Sequence, residues 1–387
     1  MKGWCMDRKF GALVWCLPML VISILVAIDP RHRSVTPLYH GAAAAWWAGK
    51  ELYEGPGGMN YLPQFAVLFS PFHWLPVPIG DILWRWCEAG LLAVGVWSLC
   101  GEVSGEQGTA SPSFLHVSLL TMPLCLGALR NGQANAMLAG LGLCAAACIA
   151  RRRWWWAAAL MALGMGVKPL GIVMVLLAAA CYAPLRLRLA AAIVALFLLP
   201  FLFAPAGYVA GQFHAFFANI GQCASVHQNR FADIGGILRT FGWDLAGRAS
   251  VVVRFVAGWG FLALWVAGGR RLGEPFRAMW LLALTASFLM LFNPMNEANS
   301  YVILAPALGL WAVAALRLPA MRGFGWLTVA ISLSMSLLPN ILHPVLGNNF
   351  AIFWHPMTTA LFIGMLAWLI LGKKQTWREA TLGQGQG

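Results

Sequence analysis

The chain alternates apolar runs of near membrane-crossing length with short polar breaks. The runs cover 10–28, 79–100, 113–129, 134–150, 154–167, 169–184, 189–206, 250–269, 278–293, 300–316, 324–339 and 352–372. A helix spanning the hydrocarbon layer needs roughly 20 mostly apolar residues. The pattern therefore predicts an all-α polytopic membrane protein of about 12 transmembrane helices, roughly 10–13 if neighbouring runs merge or split. With that count both termini fall on one side. The fifth and sixth runs are short and meet at Lys168-Pro169. A residue before proline avoids the helical region, so the chain is expected to turn there. Lys2, Arg8 and Lys9 precede the first run, as in a signal peptide, but no small-residue cleavage site follows. The run is read as a retained first span.

The breaks fall into two classes. One class is terse and basic: Lys2, Arg8 and Lys9; Arg151 to Arg153; Arg186 and Arg188; Arg270, Arg271 and Arg277; Arg317 and Arg322; Lys373, Lys374 and Arg378. These make up 16 of the 26 Lys and Arg residues, and only the turn at 101–112, with Glu102 and Glu106, lacks a base. Loops retained in the cytoplasm carry the excess of Lys and Arg, which places this side, with both termini, in the cytoplasm. The other class is longer and irregular: a first extracytoplasmic loop at 29–78, then 130–135, Lys168, a second large loop at 207–249, then 293–299 and 340–351. Eight of the thirteen carboxylates, Asp29, Glu51, Glu54, Asp81, Glu88, Asp233, Asp244 and Glu297, fall in or near this class. Chemistry is thus expected at the periplasmic or extracellular face of the inner (plasma) membrane. Residues 373–387 form a short cytoplasmic tail. No polar block is long enough for a separate domain, so 1–387 reads as a single integral membrane domain.

Composition agrees: 60% of residues are hydrophobic and 10% charged, against about a quarter charged in soluble domains. The net charge of +13 is explained by the basic turns and calls for no nucleic acid. Nine cysteines lie mostly within apolar runs without metal-ligand spacing, and Cys144 and Cys148 share a helix face with no His or Asp to join them. No metal and no cofactor are expected, because Walker, Rossmann, nucleophile-elbow and His-Glu-x-x-His signatures are absent from the sequence.

The polar groups that carry chemistry lie in the outer breaks. Two apolar runs joined by Arg151 to Arg153 place Arg130, Asn131, Gln133, Asn135 and Lys168 together at their opposite ends. A cation at that end opposes the charge rule and so points to a site. Arg130 can instead snorkel while Asn131 and Asn135 cap a helix. Glu297 stands among Asn293, Asn296 and Asn299 between two strong spans, an expensive place for a carboxylate. Asp29 ends the first span, either as a helix-end carboxylate held by Arg31 or Arg33 or as a general base. His227, Arg230 and Asp233 occupy the second large loop, where an ion pair and a structural histidine are the plainer readings. The segment Leu62 to Leu75, rich in Pro, Phe and Trp, is expected as a short interfacial helix.

Asn131-Gly-Gln-Ala-Asn135, Val167-Lys168-Pro169, Gly49-x-x-Leu52-Tyr53 with Tyr61-x-Pro63, Gln228-Asn-Arg-Phe-Ala-Asp233 and Asn293-Pro…Glu297-x-Asn299-Ser-Tyr-Val302 occur in that family's order and resemble glycosyltransferase family 87. The resemblance implies a helical bundle of the GT-C superfamily with an extracytoplasmic site. It also implies an undecaprenyl- or decaprenyl-phosphate sugar donor, commonly mannose, and inversion at the sugar carbon. One departure stands out. The family usually carries an aspartate a few residues before the tyrosine corresponding to Tyr39, whereas Ser34 to Leu38 contains no acid and Asp29 is the nearest.

Such a transfer needs a carboxylate to take the acceptor's proton and cations to stabilise the departing phosphate. Asp29 or Glu297 fits the first role. Arg130 and Lys168, with Arg230, fit the second. Asn131, Gln133, Asn296 and Asn299 are candidates for sugar contacts, and His227 and Asp233 for substrate binding. The expected partners are a polyprenyl-phosphate sugar, a glycan or lipid acceptor and membrane lipids. A lipid-linked sugar transporter and a non-catalytic assembly subunit of the same fold remain the alternatives; the first lacks support from any internal repeat.

Overall fold

The computed structural model describes residues 2–53, 59–106, 112–223, 231–245, 247–347 and 349–372. Among them the regular structure is entirely helical. The α-helices are α1 (Lys2–Ile28), α2 (Thr36–Trp47), α3 (Gln64–His73), α4 (Val77–Glu106), α5 (Phe114–Asn131), α6 (Ala134–Ala150), α7 (Trp154–Val167) and α8 (Ile172–Cys181). There follow α9 (Arg186–Leu198), α10 (Ala206–Cys223), α11 (Ile234–Thr240), α12 (Gly247–Gly269), α13 (Phe276–Phe292), α14 (Ala305–Leu316), α15 (Arg322–Leu346) and α16 (Asn349–Leu371). Every apolar run of the sequence corresponds to one of these helices. Among the described residues six stretches are long and apolar enough to cross a membrane unaided: Met6–Ile28, Val77–Val103, Ala183–Leu202, Gly247–Gly269, Pro319–Leu346 and Asn349–Leu371. The expectation of twelve full spans is thereby narrowed, because α6, α7, α8, α13 and α14 are apolar but only 10–17 residues long.

Of these, α6, α13 and α14 form the centre. The helices α6 and α14 are apolar on every side and almost wholly buried, as an innermost helix must be. The contact of α4 with α6 depends on small residues. A methyl at Gly140 would sit 2.9 Å from the backbone of Leu91 and Leu92. At the periphery the pattern inverts: α12 leaves Val251, Val252, Phe255, Val256 and Trp259 exposed, an apolar face suited to lipid.

Two of the segments between the apolar runs are more ordered than loops. The stretch Leu62 to Leu75 does form a helix, but α3 does not float on the surface. Its Phe65 and Phe69 are buried against Tyr39 of α2 and Trp84 of α4. Residues 207–249 are helical over most of their described length, through α10, α11 and the start of α12.

Candidate active site

The hairpin between α5 and α6 is gripped from outside. Gly132 ends α5 in the left-handed region, φ 70°, a conformation that glycine adopts without steric penalty. Each neighbouring carbonyl is taken by another segment. Arg85 Nε and Nη2 donate to Arg130 O at 3.3 and 3.2 Å. Val35 N donates to Asn131 O at 3.0 Å, and Trp84 Nε1 donates to Gly132 O at 3.0 Å. Ala134 N donates to the Tyr39 hydroxyl at 3.2 Å. The loop that starts α6 is therefore held by α2, α4 and the segment before α2.

From that hairpin a chain of side chains runs from a cation to a carboxylate. Lys168 Nζ donates to Asn135 Oδ1 at 2.6 Å. Asn135 Nδ2 donates to Gln133 Oε1 at 3.3 Å and to Ser300 Oγ at 3.2 Å. Gln133 Nε2 donates to Glu297 Oε2 at 3.2 Å. Three helix breaks supply the four groups. Lys168 is extended (φ −148°, ψ 125°) at the end of α7, as its proline neighbour requires. Glu297 caps the short 3-10 turn Ala298–Ile303, its N–H donating to Ser300 Oγ at 3.3 Å. The ammonium also lies over the Tyr61 ring, 5.9 Å from its centre, within the range of a cation–π contact. The Tyr61 and Tyr39 hydroxyls are 3.0 Å apart. Burial lowers the Lys168 ammonium to about 8, against a partial restoring pull from Glu297. Burial likewise raises Tyr61 to about 12.

A second polar group, which sequence reasoning did not single out, backs the hairpin. Asp81, Arg85 and Glu88 are 1%, 0% and 0% exposed although they lie inside the α4 span. Asp81 accepts from Thr36 Oγ1 at 2.6 Å and from His40 Nε2 at 3.0 Å. His40 Nδ1 lies 3.3 Å from His73 Nδ1. Arg85 Nη2 donates to Ser34 Oγ at 2.8 Å, and its Nη1 is 3.7 Å from Asp81 Oδ2. Both Glu88 oxygens are buried without a hydrogen-bond partner among the described residues. Spacings of four and three put the three ionic groups on one helical face, which is the signal that could have revealed them.

The remaining expected residues are placed differently. Asp29 is exposed at the end of α1, accepting the N–H groups of Arg31 and His32 at 3.1 and 3.2 Å. It stands outside the chain from Lys168 to Glu297. Arg130 keeps a buried Nη1, and Asn131 a buried Oδ1, without partners among the described residues. Asn296 Nδ2 donates to Leu289 O and Met290 O, closing the end of α13, and its Oδ1 accepts from Asn293. Its amide is committed to the fold. Asn299 packs against Gly127 of α5. Asp233 caps α11 by accepting Gly236 N at 2.8 Å. His227 and Arg230 lie outside the described residues.

Below the Lys168–Asn135–Ser300 group lies a narrow apolar cavity of about 40 Å³, lined among others by Leu138, Gly164, Gly171, Met174, Ile303 and Pro306. Leu138 is three residues past Asn135, Gly171 three past Lys168, and Ile303 three past Ser300, so the lining continues directly from the polar groups. The arrangement offers a cation and a carboxylate, bridged by two amides, at the head of an apolar slot. Among the described residues no cluster of His, Cys, Asp and Glu could hold a metal ion.

The family model for glycosyltransferase family 87 matches residues 60–294, which takes in the hairpin, Lys168 and the α4 cluster and ends just before Glu297. The polyprenol-phosphate-mannose-dependent alpha-(1-2)-phosphatidylinositol mannoside mannosyltransferase of Mycobacterium tuberculosis is 31% identical over 93 residues, 20% of this chain. The match spans 22% of that relative's length. The crystal structure of ArnT from Cupriavidus metallidurans bound to undecaprenyl phosphate aligns with 99% of this chain and 78% of its own, at 16% identity and a TM-score of 0.46.

Proposed function

We propose, for a chain that belongs to glycosyltransferase family 87, that it transfers a hexosyl group, mannosyl in the first instance, from a polyprenyl-phosphate sugar to an extracytoplasmic glycan or lipid acceptor, with inversion. The observation that carries this reading is the unbroken hydrogen-bonded line Lys168–Asn135–Gln133–Glu297 at the head of the apolar slot. The one curated relative described above is named for a polyprenol-phosphate-mannose donor, which supports the same donor class here. The arginine-bearing turns lie at the opposite helix ends from Lys168 and Glu297, which supports a site on the outer side of the plasma membrane with cytoplasmic basic turns.

In this mechanism an acceptor hydroxyl oxygen attacks the sugar's anomeric carbon on the face opposite the phosphate. Its proton passes to the Glu297 carboxylate. The bond from the anomeric carbon to the phosphate oxygen breaks, and its electron pair stays with the phosphate. The Lys168 ammonium meets the charge that develops there, a stabilisation greater in the transition state than in the ground state. Gln133 and Asn135 fix the spacing of acid and cation, and Arg130 and Asn131 at the hairpin tip supply further donor and acceptor atoms for phosphate or sugar.

The test is turnover by the purified protein in lipid nanodiscs given labelled polyprenyl-phosphate mannose, glucose or pentose with candidate acceptors. Release of polyprenyl phosphate and a labelled product, both lost in Lys168→Met and Glu297→Gln, is the expected result. Movement of the lipid-linked sugar between leaflets without bond cleavage would replace the enzyme by a transporter.

A further inference from the structure

A second cationic pocket lies one step from Glu297. Ala232 N donates to Asn296 O at 2.7 Å, and the Tyr301 hydroxyl donates to Ala232 O at 3.0 Å. The segment before α11 is thereby bound to both sides of the Glu297 turn. The next residue, Asp233, lines a cavity of about 20 Å³ together with Phe231, Arg239, Arg254, Leu291 and Pro294. Arg239 comes from α11 and Arg254 from α12, and Arg239 Nη2 lies 3.9 Å from Asp233 Oδ1. Two guanidinium groups and one carboxylate thus line the same cavity, and the carboxylate already accepts the N–H of Gly236. The Nε and Nη2 of Arg239 are buried with no hydrogen-bond acceptor among the described residues. Arg254 stands seven residues into a membrane-spanning helix, where a charged side chain is costly and normally serves a ligand or a pathway.

The surroundings indicate where a ligand enters. On the lipid side, Phe241, Trp243, Val251, Val252 and Phe255 are all more than half exposed. Aromatic and apolar side chains of this kind settle at the boundary between headgroups and hydrocarbon. The cavity has room for about one water-sized group, so it admits an oxygen of an anion whose bulk stays outside. A planar guanidinium pair matches the oxygens of a phosphate better than a lone carboxylate does.

We infer that Arg239 and Arg254, which line one cavity with Asp233, form an anion subsite, open to the bilayer, that takes the phosphate group of a lipid-borne acceptor and brings its hydroxyls toward Glu297. The acceptor role rests on the reaction proposed above; the anion site itself does not.

The test uses the full chain in nanodiscs of equimolar phosphatidylglycerol and phosphatidylcholine, with retained lipid counted by native mass spectrometry. Wild type should hold phosphatidylglycerol roughly tenfold over phosphatidylcholine. The Arg239→Gln/Arg254→Gln pair should hold the two alike, and the Arg239→Lys/Arg254→Lys pair, which keeps the charge, should retain most of the preference. Equal retention by wild type and the glutamine pair overturns the site. Displacement of phosphatidylglycerol by millimolar inorganic phosphate overturns the lipid-borne source in favour of a soluble phosphate. In turnover, the glutamine pair should raise the acceptor KM roughly tenfold while kcat at saturating acceptor falls by less. If Lys168→Met leaves turnover intact, the proposed reaction falls while the lipid preference still stands or falls by its own measurement.

Discussion

Replacing Lys168 tests the proposed site most directly, because the structure gives both a magnitude and a pH signature. The ammonium donates to Asn135 at 2.6 Å and lies over Tyr61, so its position is set before any phosphate arrives. Removing one preorganised donor to a developing oxyanion costs roughly 2.7–4 kcal/mol, about 10²–10³ in kcat. Lys168→Met should therefore fall in that range, provided its melting temperature in nanodiscs stays near that of wild type. The pH dependence is sharper. Burial lowers Lys168 to about 8, so the ammonium predominates below that value and is lost as pH rises through it. Profiles of kcat/KM for the donor, which report the free enzyme, should fall above pH 8 or so. A bound phosphate favours the ammonium, so the same limb in kcat should move to higher pH. Lys168→Arg, which cannot lose its proton in this range, should abolish the limb while keeping part of the rate. A wild-type profile flat from neutral to strongly alkaline pH, or a limb that survives in Lys168→Arg, would refute the reasoning.

Glu297→Gln should lower kcat by roughly 10²–10⁴ with little change in donor KM; a rate within a few-fold of wild type would assign the base elsewhere. Arg85→Met should destabilise the fold by roughly 3–5 kcal/mol, since it removes the buried cation beside Asp81 and leaves Ser34 Oγ and Arg130 O without their donor. Adding Asp81→Asn should recover part of that loss in chemical denaturation, and a strictly additive double variant would show that the two are not coupled. Gly132→Ala should cost roughly 1–2 kcal/mol from the left-handed backbone alone. It should cost more in practice, because the methyl would lie 2.9 Å from Thr36 Cγ2 and 3.0 Å from Arg85 Cζ. An unchanged melting temperature would contradict the described grip on the hairpin.

Much of the site was legible because it sits where helices break. Lys168 beside proline, the Asn131–Asn135 hairpin and the Glu297 gap interrupt apolar runs, and hydropathy marks such interruptions clearly. The all-helical membrane architecture was legible for the same reason, although the number of full spans was not. The short helices α7 and α8 resemble spans in composition and differ only in length. What stayed hidden was the ionic face of α4. Asp81, Arg85 and Glu88 are diluted within a helix whose average is apolar, and their partners Thr36, His40 and Ser34 are more than forty residues away in the chain. Asp29 drew attention as the nearest acid in sequence, yet the carboxylate that reaches the acid-free segment around Thr36 comes from α4. Asn296 and Asn299 share one polar gap with Glu297 but point away from it, one closing α13 and the other packing on α5. Composition cannot tell an amide that satisfies a helix end from one that faces a ligand.

The grip on the α5–α6 hairpin bears on how this protein can be recombined with its relatives. The carbonyls of Arg130, Asn131 and Gly132 are read by Arg85, Val35 and Trp84, side chains and backbone from segments far apart in the chain. A chimera that imports a foreign segment between α1 and α4 while retaining the native α4 would bring its own residue at 35 but meet an Arg85 fitted to Ser34. Grafts between homologues should therefore travel as one block from the segment after α1 through α6, and crossovers placed inside it should give poorly expressed protein even when every junction falls on a helix end.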